Sequence, residues 1–320
     1  MHRSVHASRY RLINLALLAG MACLTLGTLF IVPLFLLPQD PRWGCVLALA
    51  ALLTNCFWAL QHEAIHGGFL TDRRRNLLAG RLMAILLGSS FHVLRFGHLM
   101  HHRYNRNPID RPDTYDPAVT PRVMARLGFL ANLVFGLYLA ELAVPLAGWL
   151  PRPLIRRIVD RVYCGADPAL QAIRLAAHRL FLDPRRLRVI RTDALFSAAL
   201  IAVAAIAFGR HWPMLAMFLM ARAVLISVFD NVYHFATPID RPDYARNLSL
   251  PRPLQLLILN MNLHRVHHAR PALPWWALPA ELRAGKDRFD APLLRTAWAQ
   301  FAGPVPIARL DSSTLPARAA

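Results

Sequence analysis

Long apolar runs dominate this chain, and short polar or basic segments separate them. A helix needs about 20 mainly apolar residues to cross a bilayer. The runs at 12–37 and 44–61 follow one another across a Pro-rich turn, and the runs at 194–209 and 212–235 follow one another across a Gly-containing turn. The pattern therefore predicts two transmembrane helical hairpins.

Two further apolar segments are too interrupted for simple crossings. The segment 76–96 contains Arg81 and several small polar residues, so we expect it to lie along or dip into the membrane interface. The segment 123–150 is broken by glycines and by Pro145. A single crossing at 123–150 would place His234 opposite the other histidine clusters, so we interpret it as a re-entrant or interfacial helical pair.

Basic and acidic residues refine this picture. Residues 151–193 alternate arginines with apolar residues at helical spacing, which is typical of an amphipathic helix on a membrane surface; a solvated loop is the alternative. Glu141 and Arg222 lie within apolar runs, where charge is costly, and we interpret them as a structural ion pair. Residues 281–320 show only the mixed composition of a cytoplasmic tail.

Composition and charge support a membrane protein. Hydrophobic residues make up 56% of the 320 residues, and the net charge of +19 comes from arginine apart from Lys286. Such charge would fit nucleic-acid binding, but the arginines lie between apolar runs, as in cytoplasmic membrane loops. We therefore expect no nucleic acid, a cytoplasmic N-terminus that is retained as an anchor, and an integral protein of a membrane such as the bacterial inner membrane.

The predicted fold class is an all-α integral membrane protein. It comprises two transmembrane helical hairpins, interfacial or re-entrant helices and a cytoplasmic histidine-rich cap, within a single domain of residues 1–320. The four cysteines show no CxxC spacing, so neither a disulfide framework nor a thiolate metal site is indicated.

Histidines are the candidate chemistry, because they form three compact boxes at helical spacing. Residues three or four positions apart share one helix face, and neutral imidazole binds iron, zinc and copper. The alternative, polar histidines at a membrane surface, does not account for the repeated spacing. His92 lacks a partner at ligand spacing and is left outside. The three boxes are His62-xxx-His66, His98-xx-His101-His102 and His264-xx-His267-His268.

These three boxes, in this order around two apolar hairpins, resemble the histidine boxes of the membrane fatty acid desaturase superfamily. The resemblance covers roughly residues 45–280. The stretch 262–279 is similar to the third-box region of bacterial desaturases and carotenoid ketolases. Such spacing is typical of the superfamily and does not identify a substrate.

The resemblance implies two iron ions held mainly by histidine nitrogens. It also implies a ninth ligand just after the last span, where this chain has His234. In acyl-CoA desaturases an asparagine four residues before this histidine holds a metal-bound water; Asp230 has that spacing here, and Asn231 is one residue nearer. A carboxylate or amide at either position is therefore a candidate for that role.

A repeated hexapeptide supplies further candidates for contact with the histidines. Pro-Ile-Asp-Arg-Pro-Asp occurs at 108–113 and again at 238–243, each time shortly after a predicted ligand. Metal-bound imidazoles usually donate their second N–H to a carboxylate or carbonyl, although Pro-Asp turns also simply follow helix ends. The candidates of this kind are Asp110, Asp113, Asp240, Asp243 and Asn260.

The sequence thus predicts an O2-dependent non-haem diiron oxidoreductase that acts on a lipid chain as a fatty acyl desaturase. Hydroxylation, carotenoid ketolation or oxidative decarboxylation of a fatty acid to a terminal alkene could use the same site. A membrane metal-binding or transport protein is a remote alternative, because transport would favour ligands within the spans. No fused electron-transfer domain is visible, so the resemblance implies a separate donor such as a ferredoxin.

Overall fold

The fold is all-α and has helices suited to a membrane, which confirms the predicted class. The computed structural model describes residues 2–136, 143–240 and 244–310. In that part of the chain the only strands are four two-residue segments. The α-helices are α1 (His2–Leu26), α2 (Cys45–Leu52), α3 (Thr54–His66), α4 (Arg73–Leu87), α5 (Phe91–Tyr104), α6 (Arg122–Ala131), α7 (Arg152–Val162), α8 (Pro168–Phe181), α9 (Pro184–Phe208), α10 (Trp212–Val232), α11 (Arg252–Leu257), α12 (His264–Ala269), α13 (Leu278–Ala284) and α14 (Leu293–Ala299).

The chain divides into two compact units. The first comprises residues 1–97 and 138–226, and the second comprises residues 98–137 and 227–320. Two parallel strand pairs lie in the second unit, where β1 (Thr114–Tyr115) pairs with β4 (Val305–Pro306), and β2 (Leu248–Ser249) pairs with β3 (Ala291–Pro292).

Three helical segments of the described chain are long and apolar enough to cross a membrane. They are Tyr10–Leu36, Pro41–His66 and Pro184–Val232, the last of which includes both α9 and α10. The second segment carries the first histidine box at its end, because α3 continues without a break to His66. Helix α9 begins ten residues before the predicted start, where Asp183 caps its N-terminus by accepting from the Arg185 and Arg186 backbone N–H groups.

Helices α9 and α10 fold back on each other at Gly209, whose φ of +48° and ψ of −123° break the helix. Ser197 Oγ donates to the Ile85 carbonyl at 3.3 Å, and Arg222 Nη2 donates to the next carbonyl, that of Leu86, at 3.2 Å. A continuous helix would separate residues 197 and 222 by about 37 Å. The two contacts therefore require a hairpin.

The segment predicted to dip into the interface forms α4 and α5, which are bent by 98° at the intervening residues. Gly88 ends α4 with a φ of +96°. Gly80 is needed for close packing, because a Cβ there would lie 2.5 Å from the Phe91 ring. Arg81 interrupts the apolar pattern for a structural reason: its Nη2 lies 2.7 Å from Oδ1 of the buried Asp193.

The predicted ion pair of Glu141 and Arg222 stays a prediction, because only Arg222 is among the described residues. Arg222 donates to the Leu86 carbonyl and lies over the Phe218 ring, 5.4 Å from its centroid. Glu141 lies outside the described residues, as does part of the segment 123–150. Its described parts are α6, a π-helical continuation at Asn132–Gly136 and a helical stretch at 143–147.

The basic segment 151–193 folds into α7, α8 and the first part of α9, so the solvated-loop alternative is wrong. Ile155 and Val159 of α7 are buried and belong to one apolar cluster with Ala177 and Leu180 of α8. The amphipathic pattern is therefore used to pack helix on helix within the first unit.

We expect residues 151–193 to lie on the cytoplasmic side, and the native Cys164 provides the probe because its side chain is exposed. With Cys23 and Cys45 replaced by serine, a membrane-impermeant maleimide should label Cys164 only after the cells are opened. The buried Cys56 serves as the internal control that stays unlabelled. Labelling of intact cells from outside would show that the segment 123–150 crosses the membrane.

The expectation of a patternless C-terminal tail is wrong for residues 281–310. Asp290 N donates to the Asn247 carbonyl at 2.7 Å, and strands β3 and β4 pair with earlier parts of the second unit. Gln300 is fully buried, and its Oε1 accepts from Asn231 Nδ2 at 2.6 Å. The tail is therefore part of the folded second unit.

Candidate metal centre

Local backbone geometry positions the second and third histidine boxes. The second box occupies the last turns of α5, and the third box is itself the short helix α12. Leu259 and Asn260, just before α12, adopt positive φ values of 51° and 56°. Such residues are strained unless the surrounding structure fixes them, and here they turn the chain from α11 into the third box.

One set of histidines, the four-histidine cluster, lies wholly in the second unit. Its potential donor nitrogens all lie within 4.8 Å of one another, and three of its four side chains are buried. The Nε2 atoms of His101 and His234 are 3.0 Å apart. Nitrogens at this separation in a buried site can share one metal ion. The members are His101, His234, His264 and His268.

A second set in the same unit, the three-histidine cluster, consists of His98, His102 and His267. The Nε2 atom of His102 lies 3.0 Å from that of His98 and 3.0 Å from that of His267. The two clusters are neighbours, because the rings of His102 and His268 stack with their centroids 4.1 Å apart. In the second and third boxes, alternate histidines thus belong to different clusters.

The first box lies in the first unit, at the end of α3. The His62 and His66 rings are 4.7 Å apart between centroids, as expected for residues one helical turn apart. His62 is buried, whereas His66 is partly exposed. The two imidazoles therefore share one face of the helix and form a ready pair of nitrogen donors.

The second ring nitrogens of His101 and His234 contact definite oxygen partners. His101 Nδ1 lies 2.7 Å from Asp110 Oδ2, where the sequence predicted a carboxylate contact. His234 Nδ1 lies 3.2 Å from the Tyr244 carbonyl. Such contacts fix the tautomer so that Nε2 is left to bind a metal. A backbone carbonyl has no sequence signal, so Tyr244 could not have been found from the pattern.

Asp113, predicted as a histidine partner, has a different role. Its carboxylate lies 2.7 Å from Arg106 Nη1 and accepts from the Ala236 N–H at 2.8 Å. Arg106 also donates to the carbonyls of Thr237 and Pro238. Within the first copy of the repeated hexapeptide, Asp113 therefore holds the turn that follows His234, whereas Asp110 contacts the His101 imidazole.

Two predicted amides also contact other groups. Asn231 Nδ2 donates to Gln300 Oε1, and Asn260 Nδ2 donates to the Trp275 carbonyl at 3.1 Å. Both contacts are structural because they connect separate stretches of the second unit. Neither contact is with a histidine, and the role of Asn231 in holding a metal-bound water stays a prediction.

The remaining acidic candidates divide into three cases. Asp240 is exposed, and Asp243 lies outside the described residues. Burial raises the pKa of Tyr233, and the nearby negative charge of Asp230 raises it further. Asp230 therefore lies close enough to Tyr233, the residue before His234, for its negative charge to affect the Tyr233 pKa.

The chemistry of the clusters fits a metal. Among the described residues, neither ring nitrogen of the buried His268 has a hydrogen-bond partner. Leaving buried polar atoms unpaired is costly, and a metal bond would offset that cost. Burial, followed by the charges of His234 and His264, lowers the pKa of His268 well below its usual range. The imidazole is then neutral, which is the form that binds metal ions.

Sequence reasoning missed the residues that hold the third box from outside. Arg265, in the middle of that box, lies 2.6 Å from oxygens of both Asp287 and Asp290. Burial opposes ionisation of Asp287, but the hydrogen bonds from Arg265, the Arg288 N–H and Asn247, together with the positive charge of Arg265, outweigh it and lower the pKa of this carboxyl. Asn247 Oδ1 accepts from the Arg265 N–H at 3.1 Å. The available sequence signal was Arg265 itself, because a charged residue inside a histidine box needs an acidic partner elsewhere in the chain.

The comparison with known families supplies an independent test of the resemblance. The family model for fatty acid desaturase matches residues 41–298, a range that contains all three histidine boxes and His234. A search of curated protein sequences finds no match. The matched range exceeds half of the chain, and the protein therefore belongs to the fatty acid desaturase family, a family of lipid-directed oxidoreductases.

Proposed function

We propose that the protein is a membrane-bound diiron oxidoreductase that uses O2 to desaturate a fatty acyl chain on the cytoplasmic side of the membrane. The observation that carries this proposal is the pair of neighbouring histidine clusters in a member of the desaturase family. Nitrogen-only ligation by neutral histidines suits iron. The proposed ligands are His62, His66, His98, His101, His102, His234, His264, His267 and His268.

When bound, the two irons would supply the activation of O2 that an unactivated C–H bond requires. Two hydrogens leave adjacent carbons of the chain, O2 is reduced to two waters, and a separate donor such as a ferredoxin supplies two electrons. Two protons come from solvent, so the reaction is balanced. The protein's contribution is to position the chain and to exclude competing reactions.

The residues around the clusters have definite roles in this proposal. Asp110 and the Tyr244 carbonyl orient the imidazoles of His101 and His234, each by accepting from Nδ1. Burial of most ligands keeps water from the site, and burial of His268 lowers its pKa so that this imidazole is neutral. The Arg265 ion pairs hold the third box in place.

A cavity in the first unit supports a lipid substrate with an anionic end. Its volume is about 600 Å³, and His66, Arg73 and Arg95 contribute to its lining together with apolar side chains such as Leu77 and Phe91. The described residues that line it include no carboxylate. We propose that the arginines bind the carboxylate or phosphate group of the substrate, because guanidinium groups match both geometries.

The metal content of the purified protein tests the diiron assignment. We expect two iron ions per chain, measured by elemental analysis after expression with adequate iron. His267→Ala and His268→Ala should each lower the iron content, because the two neighbours belong to different clusters. One ion per chain, or a different native metal, would contradict the proposal.

Lipid analysis of a host with and without the protein tests the reaction itself. A new unsaturated acyl chain is the expected product. A hydroxylated lipid, a ketocarotenoid or a terminal alkene would instead assign the same site to another reaction, because the position of the chain at the oxidant decides the outcome. An unchanged lipid profile with full iron content and a competent donor would count against all of these activities.

The proposed anion site is tested by Arg73→Gln combined with Arg95→Gln. We expect KM for an acidic lipid to rise about tenfold or more, since charge-assisted contacts to the anion are lost, while iron content stays unchanged. Arg74→Gln is the matched control, because Arg74 is exposed beside Arg73 but does not line the cavity. Equal KM values for the wild type, the double variant and Arg74→Gln would show that the substrate's anionic end binds elsewhere.

A further inference from the structure

Helix α14 exposes two large apolar side chains and buries a polar one, while Leu293 is also buried and Arg295 is exposed. Its exposed side includes Leu294 and Trp298, one turn apart, which are 68% and 79% exposed. Its inward side includes Thr296, and Gln300 follows in the next turn; both polar side chains are buried. A helix that faces water normally presents the opposite arrangement.

Hydrogen bonds fix this orientation. Gln300 Nε2 donates to the Val228 carbonyl at 3.1 Å, while its Oε1 accepts from Asn231 Nδ2. Rotating the helix to bury Trp298 would break both bonds and leave buried polar groups unpaired, which is costly. These hydrogen bonds therefore fix the outward orientation of the apolar face of α14.

Helix α6, in the same unit, presents a similar exposed surface. Val123, Met124 and Leu127 are all exposed. Arg126 links this helix to the segment after α14, because its Nη2 donates to the Phe301 carbonyl. The two helices therefore belong to one continuous region of the second unit.

A basic cavity of about 400 Å³ lies in this region. Arg122 of α6 and Arg309 line it together with Tyr115, and the rest of the lining is mainly apolar, including Phe235 and Val305. The described residues that line it include no carboxylate. Two guanidinium groups and a phenol form a suitable environment for a phosphate group.

We propose that this region is a binding site for an anionic phospholipid, with α14 and α6 seated in the cytoplasmic membrane interface. Leu294 and Trp298 would lie among acyl chains, because an exposed Trp beside basic residues is typical of interfacial helices. Arg122 and Arg309 would bind the lipid phosphate. An acidic protein partner would engage the arginines but would leave the apolar face of α14 uncovered. The residues that line this site include none of the proposed iron ligands and none of the residues that line the substrate cavity.

Fluorescence quenching in nanodiscs tests the position of α14. The contribution of Trp298 is the difference between the wild-type protein and Trp298→Phe, since other tryptophans are common to both. We expect brominated phospholipid to quench that difference and aqueous iodide to leave it largely unchanged. Quenching by iodide alone would show that the face meets water and would overturn the proposal.

Lipid titration of the full-length protein in detergent tests the cavity. Phosphatidylglycerol should raise the wild-type unfolding midpoint more than phosphatidylcholine does. Arg122→Gln with Arg309→Gln should weaken the apparent affinity for phosphatidylglycerol roughly 30-fold, about fivefold for each arginine. Arg283→Gln, exposed in the same unit and outside the cavity, should bind as the wild type does.

Two results would overturn the lipid assignment. One is an equal affinity for phosphatidylglycerol in the double variant and in Arg283→Gln. The other is a double variant that keeps its lipid affinity but loses reduction by an acidic donor protein, which would assign the arginines to that partner. Iron content and activity are also measured for each variant in one constant lipid composition. A failure of the diiron proposal can then be distinguished from a failure of the lipid assignment.

Discussion

Replacing His234 with alanine should abolish turnover and lower the iron content, while the protein stays inserted and folded. The Nε2 atom of His234 lies 3.0 Å from that of His101, and its Nδ1 is held by the Tyr244 carbonyl. Loss of an outer partner alone can weaken metal binding 10- to 100-fold, so loss of a ligand should cost on the order of a hundredfold or more. Elemental analysis and product formation measure the two effects.

His92→Ala is the control for iron content, because His92 lies in the first unit and lines the cavity there without ligand spacing. Its iron content should equal that of the wild type. If His234→Ala retained full iron and activity, His234 would not be a ligand. Asp230 would then be the first alternative, since its carboxylate could bind iron as an oxygen donor.

Replacing Asp113 with alanine should lower the free energy of unfolding by about 3–5 kcal/mol, the cost of leaving one member of a buried ion pair unpaired. Arg106 and Asp113 have side chains that are each 1% exposed, and their closest atoms are 2.7 Å apart. The variant should also lose iron, because Asp113 holds the backbone that follows His234. Denaturant titration in detergent measures the stability loss.

A surface pair of the same type provides the matched control. Arg42 and Asp40 also approach to 2.7 Å, but Arg42 is largely exposed. Solvent screens such pairs and reduces their contribution, so Asp40→Asn should leave the unfolding midpoint unchanged. Equal effects at the two sites would mean that burial of the Arg106–Asp113 pair does not determine its contribution.

The features that sequence reasoning found are local ones. The apolar run that becomes Tyr10–Leu36 identifies a potential membrane helix by length alone. The spacing of His98, His101 and His102 places them on one helix face whatever the rest of the fold does. Asp110 was also found because it follows its histidine by a short, turn-forming stretch.

The features that it missed depend on contacts between distant parts of the chain. Gln300 reaches Asn231, and Arg265 reaches Asp287, across long sequence separations. A polar contact of this kind involves one residue from each of two distant segments. It therefore leaves no repeating pattern in the sequence from which the contact could be predicted. Asp113 was assigned to the histidines because its hexapeptide follows the second histidine box in sequence, but its partner in space is Arg106.

The ion pairs that hold the third box bear on how the protein is made. His101 is synthesised early, whereas Asp290, which pairs with Arg265, follows near the C-terminus. At about 5–20 residues per second, a ribosome needs roughly 10–40 s to pass from one to the other. During that interval the second box is present while the third box, and then the acidic residues that hold it, are still being synthesised. An ion that arrived before the third box was synthesised would meet only a partial set of the proposed ligands, so the proposed diiron site would be completed only after that stretch has been made.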